Sequence, residues 1–354
     1  MIDVLRNWYQ RHFSDPQAVI LAFMLIFGFV LIMFMGQVLT PVIAAIVIAY
    51  VLQGAVKKLT WLGIPHVLAV SLVVLGFVML LMVFFLGLSP LLTKQLSQFF
   101  ADMPVMLGKW QNLLMSLPQN YPFISEAQIR EIVMHINNEL ATVGQLVLSK
   151  SLSSVINLFT LLVYIVVVPL LVFFFLKDAE RITRWISRFL PSREGLAGQV
   201  WKDVDSKIGS YIRGKLIEIA IVALVTFIAF KVLGLQYAAL LSLLVGLSVI
   251  IPYVGAIAVT IPVALIAYFQ FGPGPEFVYI LVAYGIIQFL DGNVLVPLLF
   301  SEVVNMHPAA IIVAVLVFGG LWGVWGVFFA IPLATLIQAV INAWPTVQVE
   351  PPGS

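Results

Sequence analysis

The polar side chains best suited to chemistry lie in one short stretch of an apolar region, where Gln288 is followed by Asp291, Gly292 and Asn293. A charge at the middle of a membrane helix costs about 3 kcal/mol on insertion scales, so an acid kept there is a functional candidate. Gly292 and Pro297 can break the helix and free backbone carbonyls beside the acid and the two amides. We interpret this stretch as a site for a small polar solute or a monovalent cation. The alternative is a surface turn in which Asp291 and Asn293 are solvated.

Three further ionisable residues border apolar segments and are candidates for coupling to an ion: Glu218, Glu302 and His307. Glu218 lies one turn into a predicted helix, where it can instead be an interfacial acid paired with Arg213 or Lys215. Glu302 and His307 flank a short link and can simply be solvated. His307 also precedes a proline, which suits a helix start equally well.

Several prolines and glycines are expected to shape the backbone near this site. Pro252 and Gly255 divide the apolar stretch 237–271 into pieces near or below spanning length, which is compatible with a re-entrant hairpin or with two crossings. Later glycines have a G-x-x-x-G spacing that allows close helix packing, while the alternative is an unwound segment facing Asp291. The residues assigned to this group are Pro252, Gly255, Pro297, Gly319, Gly320 and Gly323.

Signatures of several enzyme classes are missing from the sequence. There is no cysteine, which excludes disulfides, thiolate metal sites and a cysteine nucleophile. The sequence also lacks H-E-x-x-H, a pair of intramembrane aspartates and the phosphate-binding G-x-x-x-x-G-K-[ST] loop. We therefore predict no enzyme activity, no catalytic residue, no metal site and no cofactor, and nothing resembles a nucleic-acid-binding surface.

The elements that must position these residues are membrane helices. Apolar residues make up 62% of the 354 residues and charged residues 10%, whereas soluble domains have about 25% charged residues. Charge-free runs such as 17–56 and 303–349 exceed the roughly 20 residues that cross about 30 Å of hydrocarbon. The prediction is an all-α polytopic protein with about eight transmembrane helices and broken or re-entrant segments in the C-terminal half.

The first apolar run is too long for one crossing, so a tight turn near Gly36, Gln37 and Pro41 is predicted to divide it into two helices. A fifth helix is predicted over 215–233. The predicted regions are a three-helix transmembrane region (1–93), an external amphipathic segment (94–153), a fourth helix (154–176), a basic loop (177–215), a transport core (216–345) and a tail (346–354).

Charge placement orients the helices. The loop 177–215 holds nine Lys and Arg against five acids, and by the positive-inside rule it is cytoplasmic. Counting crossings places both termini in the cytoplasm and the segment 94–150 outside. Apolar residues of that segment recur every three or four residues and then continue over 129–147, so two amphipathic helices are predicted. These helices can pack on each other or on a neighbouring subunit, lie in the membrane interface, or cap an exit path.

The order of several motifs resembles the bacterial autoinducer-2 exporter family, also called PerM-type permeases. The motifs are Phe174-Phe175-Leu176-Lys177-Asp178, Tyr211-Ile212-Arg213-Gly214, Ile251-Pro252-Tyr253-Val254-Gly255, the stretch 288–297, His307-Pro308, and the glycine series Gly319, Gly320, Gly323 and Gly326 that ends in Ala330-Ile331-Pro332. Each motif alone is weak, but their order and spacing are specific. The resemblance covers nearly the whole chain.

The resemblance implies a homo-oligomeric transport protein of the bacterial inner membrane. The family is credited with exporting autoinducer-2 and, in some members, with sodium/proton antiport. Asp291 stands where many members have Glu, and Lys215 where many have Gln. The leading hypothesis is a secondary transporter that exports a small polar solute on a proton or sodium gradient, with membrane lipid and that solute as its partners. The alternatives are a sodium/proton antiporter and an oligomeric channel or scaffold.

Overall fold

The computed structural model describes residues 16–120, 154–186, 196–300 and 306–343 and the single positions 127, 131, 134 and 188. Within these residues the regular structure is helical and contains no strand, which confirms the predicted all-α fold. The helices are α1 (Pro16–Trp61), α2 (His66–Asn120), α3 (Ser154–Lys177), α4 (Ala179–Ile186), α5 (Leu196–Val232), α6 (Ala238–Ser248), α7 (Val254–Phe271), α8 (Pro275–Leu290), a π-helical turn (Asp291–Leu295), α9 (Val296–Phe300) and α10 (Pro308–Ala343). Five helical segments of the described chain are long and apolar enough to cross a membrane.

The predicted turn in the first apolar run is wrong, because α1 is one continuous helix of 46 residues that passes through Gly36, Gln37 and Pro41. A proline costs one backbone hydrogen bond, but a helix in an apolar medium has no better way to satisfy its other backbone groups. The segment Val38–Trp61 is the part of α1 that qualifies as a span. The predicted cytoplasmic N-terminus depended on the turn and loses that support.

The helix α5 also differs from expectation, since it begins at Leu196 and not at residue 215. The predicted basic loop is therefore largely helical where it is described, over α4 and the first half of α5. The second predicted amphipathic helix (129–147), apart from the single positions 131 and 134, lies outside the described residues, as do Glu302 and the tail 346–354.

The helix α2 continues for 55 residues, about 80 Å, so its C-terminal part extends far beyond the bilayer thickness. This extension packs on the connection between α5 and α6. The Tyr237 hydroxyl donates to Asp102 Oδ2 at 2.5 Å, and Gln95 Oε1 accepts the backbone N–H of Leu240 at 2.9 Å. Burial, followed by the hydrogen bond to Asp102, raises the pKa of Tyr237 to about 12, so this hydroxyl keeps its proton. Phe99 and Met106, from the predicted amphipathic face, pack on the same core.

The helices α6 and α7 form a hairpin. The start of α6 and the end of α7, the two ends away from the turn, lie close together. The Gln270 side chain accepts the N–H of Gln236 and donates to the carbonyl of Gly234, both at 2.7 Å. The 11 residues of α6 extend about 16 Å, roughly half the hydrocarbon thickness. The chain reverses over 249–253, and Gly255 lies so close to Ser248 that a Cβ would overlap the Ser248 carbonyl. Both ends of the hairpin therefore lie at the same end of the helix bundle, which is compatible with a re-entrant hairpin and with two crossings.

A second hairpin lies within α10, because the chain reverses at Gly323, whose φ of 61° and ψ of −136° are not helical. This conformation is accessible essentially to glycine alone. Residues from the two arms pack together, with Ala314 and Phe318 of the first arm against Ala330 and Ala334 of the second. The two predicted C-terminal helices are therefore present as arms over 308–322 and 324–343. Of the glycine series, Gly319 and Gly326 allow close packing between the arms, since a Cβ on either would overlap an atom of the other arm.

Two glycine-to-alanine substitutions near this turn should distinguish the effect of close packing from the effect of helix propensity on stability. A Cβ on the buried Gly326 would overlap the Phe318 carbonyl, whereas a Cβ on Gly320 meets nothing within 4 Å. We expect Gly326→Ala to lower the free energy of unfolding by about 1–3 kcal/mol. Gly320→Ala should leave it unchanged or raise it by up to about 1 kcal/mol. Thermal unfolding of the detergent-solubilised protein measures both, and equal stability of the two variants would contradict the hairpin geometry.

Candidate functional site

A cavity of about 460 Å³ lies between the middle of α5, the tip of the α6–α7 hairpin, the segment from the end of α8 through the π-helical turn to α9, and the two arms of α10. Val232, Phe271 and Pro275 are the helix ends of α5, α7 and α8 that lie farthest from the cavity. Glu218, Val254 and Asp291 lie 14 to 17 residues from these ends, which corresponds to about 21–26 Å. The hairpin tip and both acids therefore reach a similar depth. An apolar bundle with a few convergent polar groups has the general character of a ligand site.

The lysine and the acid of α5 form a buried ion pair. Lys215 Nζ lies 2.6 Å from Glu218 Oε2, and the two side chains are 4% and 2% exposed. Their spacing of three residues puts them on the same face of the helix. Of the two bases that the sequence offered for Glu218, the structure selects Lys215, while Arg213 is exposed and lies over the ring of Tyr50. Lys215 was not predicted as a site residue.

The same ammonium holds the tip of the α6–α7 hairpin. Lys215 Nζ donates to the carbonyl of Val249 at 3.0 Å, and Val249 is the residue that caps the C-terminus of α6. The negative end of a helix dipole favours a cation at this position. The lysine therefore compensates two oxygen acceptors at once, one on its own helix and one on the hairpin.

Asp291 enters the cavity from the π-helical turn. The helix is not broken at Gly292 and Pro297 as predicted, because the backbone bonding widens into the π turn, where the N–H of Val296 donates to the carbonyl of Asp291. Turns of this kind inside helices are often found at functional sites. The widening shifts the register of the backbone hydrogen bonds, and the chain stays helical.

Two buried polar atoms at this turn have no hydrogen-bond partner among the described residues: Asp291 Oδ1 and Gln288 Nε2. Both residues line the cavity, together with Lys215 and Glu218. Buried polar groups are almost always paired, so unpaired ones are expected to bind water, an ion or a solute. The turn thus offers the cavity one acceptor and one donor without a hydrogen-bond partner among the described residues. Glu218 Oε2 also makes no hydrogen bond by geometry, but it lies 2.6 Å from Lys215 Nζ.

Aromatic residues of α5 and α9 line the cavity beside the α10 hairpin. The rings of Tyr211 and Phe300 lie 5.6 Å apart, and the Tyr211 hydroxyl donates to the carbonyl of Phe328 at 3.3 Å. Lys215 Nζ lies 5.1 Å from the centroid of the Phe300 ring, within cation–π range. The ammonium therefore has oxygen acceptors on one side and aromatic faces on another.

The other predicted site residues are distributed between the cavity and other positions. Gly292, Pro252 and Pro297 line the cavity, whereas Asn293 is exposed and donates to the Phe289 carbonyl at 2.9 Å. His307 is exposed, and its Nδ1 accepts the N–H of Ala309 at 3.2 Å, which fits a helix start. Gly255 lies inside the α6–α7 hairpin. The predicted glycines Gly319, Gly320 and Gly323 belong to the turn of α10 and are not among the residues that line the cavity.

Comparison with known proteins gives consistent matches over most of the chain. A family model described as "AI-2E family transporter" matches residues 21–346. The chain is 47% identical over 350 residues to a candidate permease of Escherichia coli K12, PerM, covering 99% of each chain. It is 28% identical over 317 residues to a candidate transport protein of Bacillus subtilis 168, YueF, covering 87% of this chain and 84% of that protein. A second candidate transport protein of that organism, YrrI, is 27% identical over 303 residues, covering 85% of each chain.

Removing the Lys215 side chain should lower the free energy of unfolding much more than removing an exposed lysine. Breaking a buried ion pair by removing one partner costs about 3–5 kcal/mol, because the remaining charge is left uncompensated. We expect a loss of this size in the free energy of unfolding for Lys215→Met in sodium-free buffer. Lys231→Met is the matched control, since Lys231 is an exposed lysine of the same helix. Its loss should be under about 0.5 kcal/mol, and similar losses for the two variants would show that the pair is not buried.

Proposed function

Because the chain belongs to the AI-2E family of transporters, we propose that it is a secondary transporter of the inner membrane that exports a small polar solute on a proton or sodium gradient. We propose further that it is a homo-oligomer, as the resemblance to this family implies. Autoinducer-2 is the first solute to test, since the family is named for it. The relatives are described as permeases or transport proteins, which supports transport and names no solute.

The observation that carries the proposal is the pair of unpartnered polar atoms, Asp291 Oδ1 and Gln288 Nε2, in a cavity at the junction of the hairpin tip and the π-helical turn. Lys215 and Glu218, which also line the cavity, are already paired with each other, and Lys215 also donates to the carbonyl of Val249. A solute with neighbouring hydroxyl groups can donate to the aspartate and accept from the amide. The chemistry of the site therefore favours a small hydroxylated molecule.

The hairpins supply a way for such a site to face each side in turn. Secondary transporters often place the site where discontinuous helices meet, and rocking of one element against another opens it alternately. With the basic region of α4 and α5 in the cytoplasm, the α6–α7 hairpin enters from outside and the α10 hairpin from the cytoplasm. The C-terminus is then cytoplasmic, and the cavity lies between the two hairpins.

Neutralising the acid should abolish the proposed transport. We expect Asp291→Asn to lower autoinducer-2 efflux from proteoliposomes at least tenfold. The substitution turns one carboxylate oxygen, an acceptor, into an NH2 donor and removes the negative charge. Glu276→Gln is the matched control, an exposed acid at the outer end of the same helix, and should keep the full flux.

Equal efflux from Asp291→Asn and the unmodified protein would refute a role for this site in transport. Sodium-driven proton movement in everted vesicles without any organic solute would favour the antiporter instead. Efflux that needs no gradient and keeps its rate in Asp291→Asn would favour the channel.

The proposed orientation can be tested by labelling, because the chain has no cysteine. A cysteine at the exposed Glu276 should react with a membrane-impermeant maleimide in intact cells. A cysteine at the exposed Arg181 of α4 should react only after the membrane is opened. The reverse pattern would invert the whole topology and place the basic region outside.

A further inference from the structure

The surroundings of Lys215 Nζ resemble the oxygen shell of a bound cation. The ammonium lies 2.6 Å from a carboxylate oxygen of Glu218 and 3.0 Å from the carbonyl of Val249. That carbonyl belongs to the capping residue at the C-terminal end of α6, an 11-residue helix that stops inside the bundle. Carboxylates and the C-terminal carbonyls of half-helices are the groups that hold sodium ions in transporters with discontinuous helices.

The charges around the cavity support the same interpretation. The ionisable side chains of Asp, Glu, Lys, Arg and His that line it are Lys215, Glu218 and Asp291, within the part of the chain that is described. With all three ionised, their net charge is about −1, and without the lysine it would be about −2. Two acids facing one apolar cavity would attract a cation from solution. The lysine supplies that positive charge permanently.

We propose that the Lys215 ammonium is a built-in cation that occupies the place of a dissolved sodium ion, so that this chain binds no sodium at the hairpin tip. The inference rests on the proposed transport function and narrows its energy source to the proton gradient. Asp291 remains the acid available to a proton or a solute. Lys215 is thus a specificity-determining residue for the coupling ion, and its side chain makes sodium unnecessary.

The ammonium fills this position better than a mobile ion could in two respects. Its covalent tether places it at the hairpin tip in every molecule, whatever the salt concentration. Its apolar stem packs in the core while its N–H groups reach both oxygens. The Phe300 ring, 5.1 Å from Nζ, closes one side with a face that accepts a cation and supplies no oxygen.

The test measures sodium binding directly on the purified full chain in detergent, without any solute. Sodium chloride is titrated against potassium chloride at constant ionic strength, and the midpoint of thermal unfolding is recorded. The unmodified protein should show no difference between the two salts. Lys215→Met should show a sodium-specific rise of about 3 °C, because sodium can then neutralise Glu218.

Two further variants identify the ligand. Lys215→Arg keeps a cation in place and should remain insensitive to sodium. The double variant Lys215→Met with Glu218→Gln removes the carboxylate and should lose the sodium response again. A sodium-specific rise in the unmodified protein would overturn the proposal, as would a folded Lys215→Met protein with no sodium response.

If Lys215→Met yields no folded protein in either salt, Lys215→Gln replaces it in the titration. The transport activity of the unmodified protein then provides a second test of the proposal. Autoinducer-2 efflux should keep the same rate when sodium is replaced by choline, and loss of efflux in choline would overturn the proposal. No efflux under any condition counts against the proposed transport function alone, because the sodium titration needs no flux.

Discussion

The compensation of one buried charge holds the centre of this protein together. Glu218 is 2% exposed in the middle of an apolar helix, and a bare carboxylate there would be prohibitively costly. Lys215 neutralises it and, with the same ammonium, satisfies the carbonyl at which α6 ends. The position of the hairpin tip therefore depends on an ion pair within α5. The tip in turn forms one wall of the cavity that Asp291 enters.

The two hairpins follow from a second constraint, the need to satisfy backbone groups away from water. A chain that turns inside a bundle must leave some carbonyls unpaired, so each turn needs a close packing partner or a polar group. At Gly255 and Gly326 the missing Cβ lets the opposite backbone approach, and at Val249 the lysine supplies the donor. The glycines near the C-terminus thus have a structural role at a distance from the acid.

The sequence predicted the helical fold, the division of 237–271 near Pro252 and Gly255, and two helical arms after His307, because charge-free runs, prolines and glycines report on single segments. The role of Asp291 stays a prediction. It assigned Lys215 to the edge of a cytoplasmic loop, since hydrophobicity alone marks where a helix becomes apolar and α5 begins 19 residues earlier. Pairing of Lys215 with Glu218 was open on the i, i+3 spacing, but the contact with Val249 joins residues 34 positions apart. Such a contact has no local signature. The turn expected at Pro41 failed for the opposite reason, because a local signal was outweighed by the apolar surroundings.

The arrangement of the charges also limits how the proposed transporter can move. The helix α6 packs on α5 so closely that a Cβ on Gly246 would lie 2.6 Å from that of Ala223, so α5, α6 and the ion pair form one unit. Asp291 lies on a different element, beside a π-helical turn whose backbone bonding is already irregular. Opening the cavity by moving this turn leaves the buried pair intact and avoids the cost of separating it. A cycle in which Asp291 moves relative to a fixed internal cation therefore needs less energy than one in which the hairpin leaves Lys215.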